Sequence, residues 1–406
     1  MNRIGPGFGS ERALPEGSAP RGTNQSGMRA SNERLILSLL RSHGPMAKSD
    51  IARLTGLSAQ TMTVIMRQLE GEGLLMRGEP VRGRIGQPSV PMSLDPDGAF
   101  FFGLKIGRRS ADLTLIDFLG RVRGTERQMY RWPTPGAVTD FVREAVPAIL
   151  SRLPVELGER LGGMGVAMPF QLWNWVNAIG APQAEMDEWR HRDIAAELEA
   201  ITGLPVTIQN DATAACGAEL VFGTGERPKD FLYFYFGYFI GGGLVLGNQL
   251  FTGRSGNAAG VGPMPVPGPD GATRRLLTVA SMSVLADAME ARGEPSAHLF
   301  EQHESWRVSD GVLSAWMDSA AEGLAYAILS ATTLLELEAV LIDGWVPPAI
   351  RSEITRRTRE AFLRLDLAGI DPPDIREGTV GPHARALGAA AIPLSQRYLM
   401  EQAPAV

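Results

Sequence analysis

The run FLYFYFGYFIGGGLVLG, residues 231–247, restricts what this chain can become more than any other segment. It is the most apolar stretch of the sequence, yet it is aromatic, β-prone and interrupted by glycine. No apolar run in the chain reaches the roughly 18 residues that a membrane helix needs. Such a segment is stable only as strands buried inside a folded body. At 406 residues the chain is long enough for two or three domains. Its 44% hydrophobic and 21% charged content is that of an ordinary soluble protein. The N-terminal MNRIGPGFGSERALPEGSAPRG lacks the apolar core of a secretion signal. A single cysteine, Cys216, excludes an intramolecular disulfide and a multi-cysteine metal site. The expectation is a cytoplasmic protein with no membrane partner.

Charge is distributed unevenly. Residues 1–95 carry 12 Lys/Arg and 8 Asp/Glu, a net of +4, whereas the whole chain is −6. A basic head on an acidic body points to a polyanionic partner for the head. Residues 1–28, rich in Gly, Pro and Ser, are expected to be a disordered tail. From Ser31 the spacing becomes helical, with Leu35, Ile36, Leu39 and Leu40 on one stripe. A short helix ending at Gly56 follows, then a third over LSAQTMTVIMRQLEGEG, capped by Ser58 and burying Met62, Ile65, Met66 and Leu69. GLLMRGE and PSVPMSLDP are extended and flank the basic turn VRGRIGQ.

Three short helices followed by a basic hairpin over residues 29–95 make a winged helix-turn-helix, and double-stranded DNA is the expected partner. A recognition helix must bury one face and offer polar side chains to base edges from the other. Gln60, Thr61, Thr63 and Arg67 lie off the apolar stripe, and Lys48, Ser58 and the helix N-termini are placed for phosphates. Arg82 and Arg84, flanked by glycine at the wing tip, suit a minor groove. A small helical bundle whose basic hairpin is merely solvated is the plainer alternative.

After Pro96 strands alternate with helices, an α/β pattern. The order could repeat once, giving two lobes with a boundary near residue 205. The last helix, ARALGAAAIPLSQRYL, should kink at Pro393.

The head and body together resemble the ROK family of repressors and kinases, in particular its xylose-repressor-type regulators. The head carries the family's spacing of helices and its glycine-arginine wing. In the body, GGMGVAMP, IQNDATAACGAELVFGTG and GYFIGGGLVLGNQLFTGRSGNAAGVGPM are similar to family segments. The resemblance implies an actin-like sugar-kinase fold of two lobes over residues 96–406, a ligand in the cleft between them, and a homodimer or homotetramer. It makes Asp211, after Asn210, the retained position of the family's catalytic base. Gly241, Gly242 and Gly243 match one phosphate loop. The other, DxGGT in family kinases, is replaced by KIGRR, Lys105 to Arg109. In the family's AGE.GH motif, GNAAGVGPM puts Gly260 at the sugar-binding glutamate and Pro263 at the histidine. Where the cysteine cluster of a zinc site would fall stand Arg275 and Leu277. No metal, no cofactor and no catalysis are therefore expected.

Plainer readings stand beside these. Asn210 caps the helix ATAACGAEL whether or not it touches a ligand. The glycine run can be a turn. Trp173 and Trp175 fall where the family's loop approaches the sugar, but such residues also pack lids and interfaces. His298 and His303, in a polar stretch, read as solvated surface, and Cys216 as a small core residue. The expected function is a DNA-binding regulator, a repressor of a carbohydrate-linked operon, whose kinase-like domain senses a sugar or sugar derivative. An ATP-dependent sugar kinase with a fused head and a ligand-independent DNA-binding scaffold remain the alternatives.

Overall fold

The computed structural model describes residues 25–80, 90–174, 176, 180–268 and 270–400. The head begins with α1 (Gln25–His43), which starts several residues before the apolar stripe does. Residues 25–28 thus belong to a helix and not to the expected tail. A polar helical turn has no sequence periodicity by which to be recognised, and here it extends a helix anchored further along. α2 (Lys48–Thr55) ends at Gly56, whose left-handed φ of 68° turns the chain. Two residues later Ser58 caps α3 (Ala59–Gly71) by accepting from Thr61 N. β1 (Met46–Ala47), β2 (Leu75–Arg77) and β3 (Pro91–Leu94) form an antiparallel sheet in the order β1-β3-β2. The tip between β2 and β3, with Arg82 and Arg84, lies outside the described residues.

The body holds two five-stranded sheets of the same topology. The first comprises β4 (Phe100–Ile106), β5 (Ser110–Ile116), β6 (Val122–Met129), β7 (Leu161–Met168) and β8 (Val206–Asn210) in the order β6-β5-β4-β7-β8. The second comprises β9 (Phe231–Phe236), β10 (Gly241–Leu246), β11 (Gln249–Phe251), β14 (Ala339–Gly344) and β15 (Asp374–Glu377) in the order β11-β10-β9-β14-β15. Each is a three-strand antiparallel meander with two parallel strands added beside its first strand. The first strand of each is central, covered on both faces and entirely buried, hence the continuous FFFGLKI and FLYFYF. A small hairpin, β12 (Pro265–Pro267) with β13 (Thr273–Arg275), packs on the second lobe through buried Val266.

α4 (Pro135–Leu150) and α5 (Ile194–Thr202) cover the outer face of the first sheet through Val138, Phe141, Val142 and Leu198. α7 (Met282–Glu290), α8 (Asp310–Thr332) and α9 (Pro348–Phe362) cover that of the second through Leu285, Trp316 and Phe362. Between the sheets run α6 (Asp211–Phe222) and α10 (Ala384–Tyr398), pressed against each other. Their closeness depends on residues without side chains. A Cβ at Gly388 would overlap the carbonyl of Ala214, and Cβ atoms at Gly103 and Gly165 would overlap the backbone of α10. α10 continues through Pro393 without a break, so the expected kink does not interrupt it. That proline ring lies against Gly163 and Gly165, where a bulkier strand could not admit it.

α10 also anchors the head. Tyr398 packs edge-on against Phe118 (4.9 Å) and Phe101 (6.0 Å), in one core with Ile36, Leu37 and Leu40 of α1. Met400 N donates to Ser38 Oγ at 2.9 Å, and the Arg41 guanidinium donates to the Phe118 carbonyl. The head is therefore seated on the first lobe and the last helix.

The sign of a glycine substitution should depend on these contacts. Ala normally favours a helix over Gly by about 1 kcal/mol. At Gly388 overpacking reverses this, and Gly388→Ala should destabilise by about 2 kcal/mol or more in urea unfolding. Gly311→Ala, in the first turn of α8 with nothing within 4 Å of its Cβ, should be neutral or stabilising.

Candidate functional site

A cleft of about 1300 Å³ lies between the lobes. It is bounded by the segment after β7 (Pro169–Asn174), the start of α6, the turn before β10, the loop at 255–263, and Arg108 and Arg385. The GNAAGVGPM segment supplies Asn257, Gly260, Gly262 and Pro263, so it is a cleft wall, with Arg275 and Leu277 beside it. Trp173 lines the cleft, its ring 5.5 Å from the Arg190 guanidinium carbon; Trp175 lies outside the described residues.

The Asn-Asp pair has two distinct tasks. Asn210 Oδ1 accepts from Ala212 N (3.0 Å) and Thr213 N (3.2 Å), so the asparagine is the cap of α6. That cap sets Asp211 in the first turn, on the cleft wall, where its Oδ2 meets Arg385 Nη1 at 3.3 Å. Arg385 is mostly buried, and its guanidinium stacks 4.9 Å from the Tyr235 ring centroid.

The glycine triplet departs from the expectation of a loop. Gly241, Gly242 and Gly243 open strand β10 and pair with Tyr235, Phe234 and Tyr233. Gly241 and Gly242 line the cleft, but Gly243 does not: a Cβ there would overlap Cys216 of α6. Gly243 is a packing glycine and Cys216 a fully buried core residue, its thiol pKa pushed well up by burial. Gly241 and Gly243 lack side chains where α6 crosses them at Ala212 and Cys216, and Gly242 lacks one where the Tyr233 and Ala259 carbonyls and Val261 approach it.

KIGRR is the β4–β5 hairpin, closed by Gly107 N donating to Ser110 O at 2.8 Å. Lys105 shares a strand face with Phe101 and Gly103 and so points toward the other lobe. It sits directly across from Asp112, which is across from Arg127, making a row of alternating charge over three strands. Lys105 Nζ lies 2.7 Å from Asp112 Oδ2 and from Ser110 Oγ. Burial, only partly offset by Asp112, lowers the ammonium to about 8. Arg108 turns into the cleft with its guanidinium carbon 4.4 Å from the Phe239 ring centroid. Burial lowers it to about 10, the nearby Asp211 opposing that shift and Arg385 adding to it. The hairpin expected at a phosphate-loop position thus carries a stacked arginine. Arg127 stacks 5.1 Å from the Trp345 ring centroid, so two arginines of one lobe hold aromatic rings of the other.

His303 is not free surface. Its ring packs edge-on on Trp345 (4.7 Å) and on His383 (5.3 Å), because the 302–306 segment folds back on the start of α10. Residues 80 apart in sequence gave no spacing by which to join them. Among the described residues no group of three or more His, Cys, Asp or Glu is placed to hold a metal ion.

On the head, Gln60, Thr63 and Arg67 are exposed on the outer face of α3, joined by Val64, which is 53% exposed. Their i, i+3, i+4, i+7 spacing makes one continuous stripe. Val64 is not singled out by the sequence, because an apolar side chain off the buried stripe offers no polar signal of a contact face. Thr61 is half-buried, its hydroxyl 2.9 Å from that of Ser58, so both side chains serve the cap. Lys48 opens α2 and is partly exposed.

A winged helix-turn-helix on a body of two repeated lobes facing across a cleft defines a DNA-binding module fused to a sugar-kinase-like domain. The ROK family model matches residues 101–395 and the MarR family model residues 31–81, and the chain belongs to the ROK family. It is 21% identical over 243 residues to the xylose repressor of Bacillus spizizenii, covering 60% of this chain and 62% of that one. A ROK family transcriptional regulator, a homologue of the E. coli MLC protein, has a similar fold. Its TM-score is 0.64 at 21% identity, over 91% of this chain and 97% of that one. A ROK family glucokinase from Streptomyces griseus, solved with glucose and AMPPNP, matches the body. There the TM-score is 0.56 at 23% identity, over 72% of this chain and 98% of the kinase. The fold is therefore the actin-like sugar-kinase fold behind a winged helix-turn-helix. Regulators and kinases share it, so membership alone does not decide activity.

The Lys105 shift has a definite sign. Between about pH 8 and its ordinary value of 10.5, the unfolded chain holds a proton on Lys105 that the folded chain has released. The cost of burying the charged ammonium is therefore full below pH 8 and is relieved as pH rises to 10.5. Urea unfolding of wild type and Lys105→Met at pH 7.5 and 9.5 should show wild type gaining stability relative to the variant at the higher pH.

Proposed function

We propose that this protein is a DNA-binding transcriptional repressor, acting as a homodimer or a higher homo-oligomer, whose kinase-like body senses a small effector and performs no phosphoryl transfer. The observation that carries this reading is the course of α10. Its first turn carries Arg385, in contact with Asp211 in the cleft, and it ends at Tyr398 in the core shared with α1 of the head. One rigid element thus touches both the ligand space and the DNA-reading module. An effector that changes the lobe angle would shift Asp211 and the Arg108 and Arg127 stacks, moving α10 and with it the head. A preference of a few kcal/mol for one lobe arrangement is enough to switch operator occupancy. Two heads in an oligomer would meet two half-sites, their spacing set by the bodies. The xylose repressor and the ROK transcriptional regulator among the relatives support the regulatory reading.

Against catalysis stand the arginine-bearing hairpin at the phosphate-loop position and the ion pair that engages Asp211. A general base must reach the substrate hydroxyl, and phosphoryl transfer needs backbone cradling of the nucleotide phosphates. The kinase reading keeps Asp211 as its support, and the glucokinase shares the fold. Incubation with ATP and a hexose panel should yield no sugar phosphate; product that disappears in Asp211→Asn would overturn the non-catalytic reading.

For the head, selection of bound genomic fragments should return a specific operator. Gln60→Ala should cost about 1–3 kcal/mol of operator affinity and relax one base position. Lys48→Ala should weaken all sequences alike and reduce the salt slope by about 1, read by fluorescence anisotropy across salt concentrations. Unchanged affinity in both variants would count against this docking face.

A further inference from the structure

A second cavity, of about 760 Å³, lies where the head meets the second lobe and the later turns of α6 and α10. None of its described lining residues belongs to the cleft between the lobes. α1 contributes Ser38, Arg41 and Ser42, and the stretch from the end of α6 into β9 contributes Arg227 and Phe231. Its size is that of a pocket for a small organic molecule, usually roughly 300–1,000 Å³. Half-buried Leu220, Val221, Leu250, Ile392, Leu399 and Met400 line it, so hydrocarbon makes up much of its wall.

The charged groups of this lining are unevenly matched. Glu219 accepts from Thr379 and Val380, Glu377 is engaged by Arg351 and Ser352, and Glu226 is paired with Arg376. Arg41 and Arg227 donate only to carbonyls, those of Phe118 and Gly223, and neither forms an ion pair among the described residues. Nε of Arg41 is buried and meets no acceptor among those residues. Burial, with the charge of Arg227 adding to it and Asp117 opposing, lowers Arg41 to about 10, so it stays protonated at neutral pH. Asp117 is itself held by Leu119 N, Arg121 N and Arg123. A buried donor without an acceptor is costly, and a second cation nearby adds repulsion. An oxyanion between Arg41 and Arg227 relieves both.

We propose that this cavity is a second ligand site, for a small amphipathic anion whose carboxylate or phosphate lies against Arg41 and Arg227 and whose hydrocarbon body covers the apolar wall. A molecule seated there touches α1, α10 and the second lobe together, at the joint that holds the head. Charge selects the polar end and the apolar wall selects the body. A neutral long-chain molecule leaves Arg41 Nε without a charged acceptor, and a short acid leaves the apolar wall in water. The site is independent of what occupies the cleft between the lobes.

Isothermal titration of the full chain with decanoate, decyl phosphate, decanol and butyrate, each below its micelle concentration and in buffer free of phosphate and sulfate, tests the proposal. At least one of the two amphipathic anions should bind once per chain, tenfold or more tightly than decanol and butyrate, and its affinity should fall as salt is raised. Comparison of decanoate with decyl phosphate separates carboxylate from phosphate. Arg41→Gln should raise the Kd of the anion at least tenfold, with the melting temperature of the ligand-free variant checking that it folds. Arg227→Gln, at an exposed position, should weaken the same ligand severalfold and decides the matter if the Arg41 variant does not fold. Arg108→Gln, in the cleft between the lobes, should leave the Kd unchanged. Decanol binding as tightly as the anions, an affinity that the folded Arg41 and Arg227 variants leave unchanged, or a loss in Arg108→Gln overturns the proposal. Absence of binding by both amphipathic anions overturns it as well.

Discussion

The close crossing of α6 and α10 between the two sheets is the constraint on which the rest of this structure depends. Gly388 lies on the Ala214 carbonyl, Gly103 and Gly165 bring the first sheet onto α10, and Gly243 brings the second onto Cys216. Each contact is possible only where a side chain is missing, so the lobes meet through backbone at nearly fixed distance. Packed interiors of this kind shift between discrete arrangements and resist continuous deformation. Both helices present their N-terminal turns to the cleft, where Asp211 of one meets Arg385 of the other. A change at that contact is therefore felt along a rigid pair of helices.

Anchors beyond the crossing keep α10 in register. Buried Asp343 accepts from Gly381 N (2.8 Å) and Arg351 Nη1 (2.9 Å), and Glu219 of α6 accepts from Thr379 N, Thr379 Oγ1 and Val380 N. These carboxylates hold the segment that leads into α10. Burial raises the Glu219 carboxyl above its ordinary range, and the Thr379 hydrogen bonds draw it back. At its other end α10 delivers Tyr398 to the head. The cleft between the lobes and the head are thus joined by packing and by the hydrogen bonds of Met400 to Ser38 and of Arg41 to Phe118.

Much of this was legible in the sequence, and for definite reasons. Buried central strands announce themselves as unbroken apolar runs, as in FFFGLKI and FLYFYF. Helix starts carry caps, so Ser58 and Asn210 could be placed from their residue type, and Gly56 and Gly203 mark left-handed ends. The departures at KIGRR and GNAAGVGPM were visible as altered side-chain chemistry. Less legible was what those residues do. The GGG triplet looked like a loop and is a strand, because its glycines answer to close neighbours elsewhere in the chain, Gly241 and Gly243 to α6 and Gly242 to Val261 and Ala259. Val64 was assigned to neither face of α3, because it lies off the buried stripe and its apolar side chain gives no polar signal of an exposed contact face. The His303–Trp345–His383 contact and the Arg108 and Arg127 stacks join segments with no shared spacing at all.

The sequence by itself determined the elements, their order and their repetition, since burial, capping and turn chemistry are local and leave a pattern in the residues nearby. It also determined which chemical groups are present for a site and which are missing. Only the tertiary structure decided that the last helix passes between the lobes, that Arg385 faces Asp211, and that arginines outnumber acids in the cleft. Those facts depend on which distant backbones approach closely enough to bury charge together, and distances across a fold are not written in residue spacing.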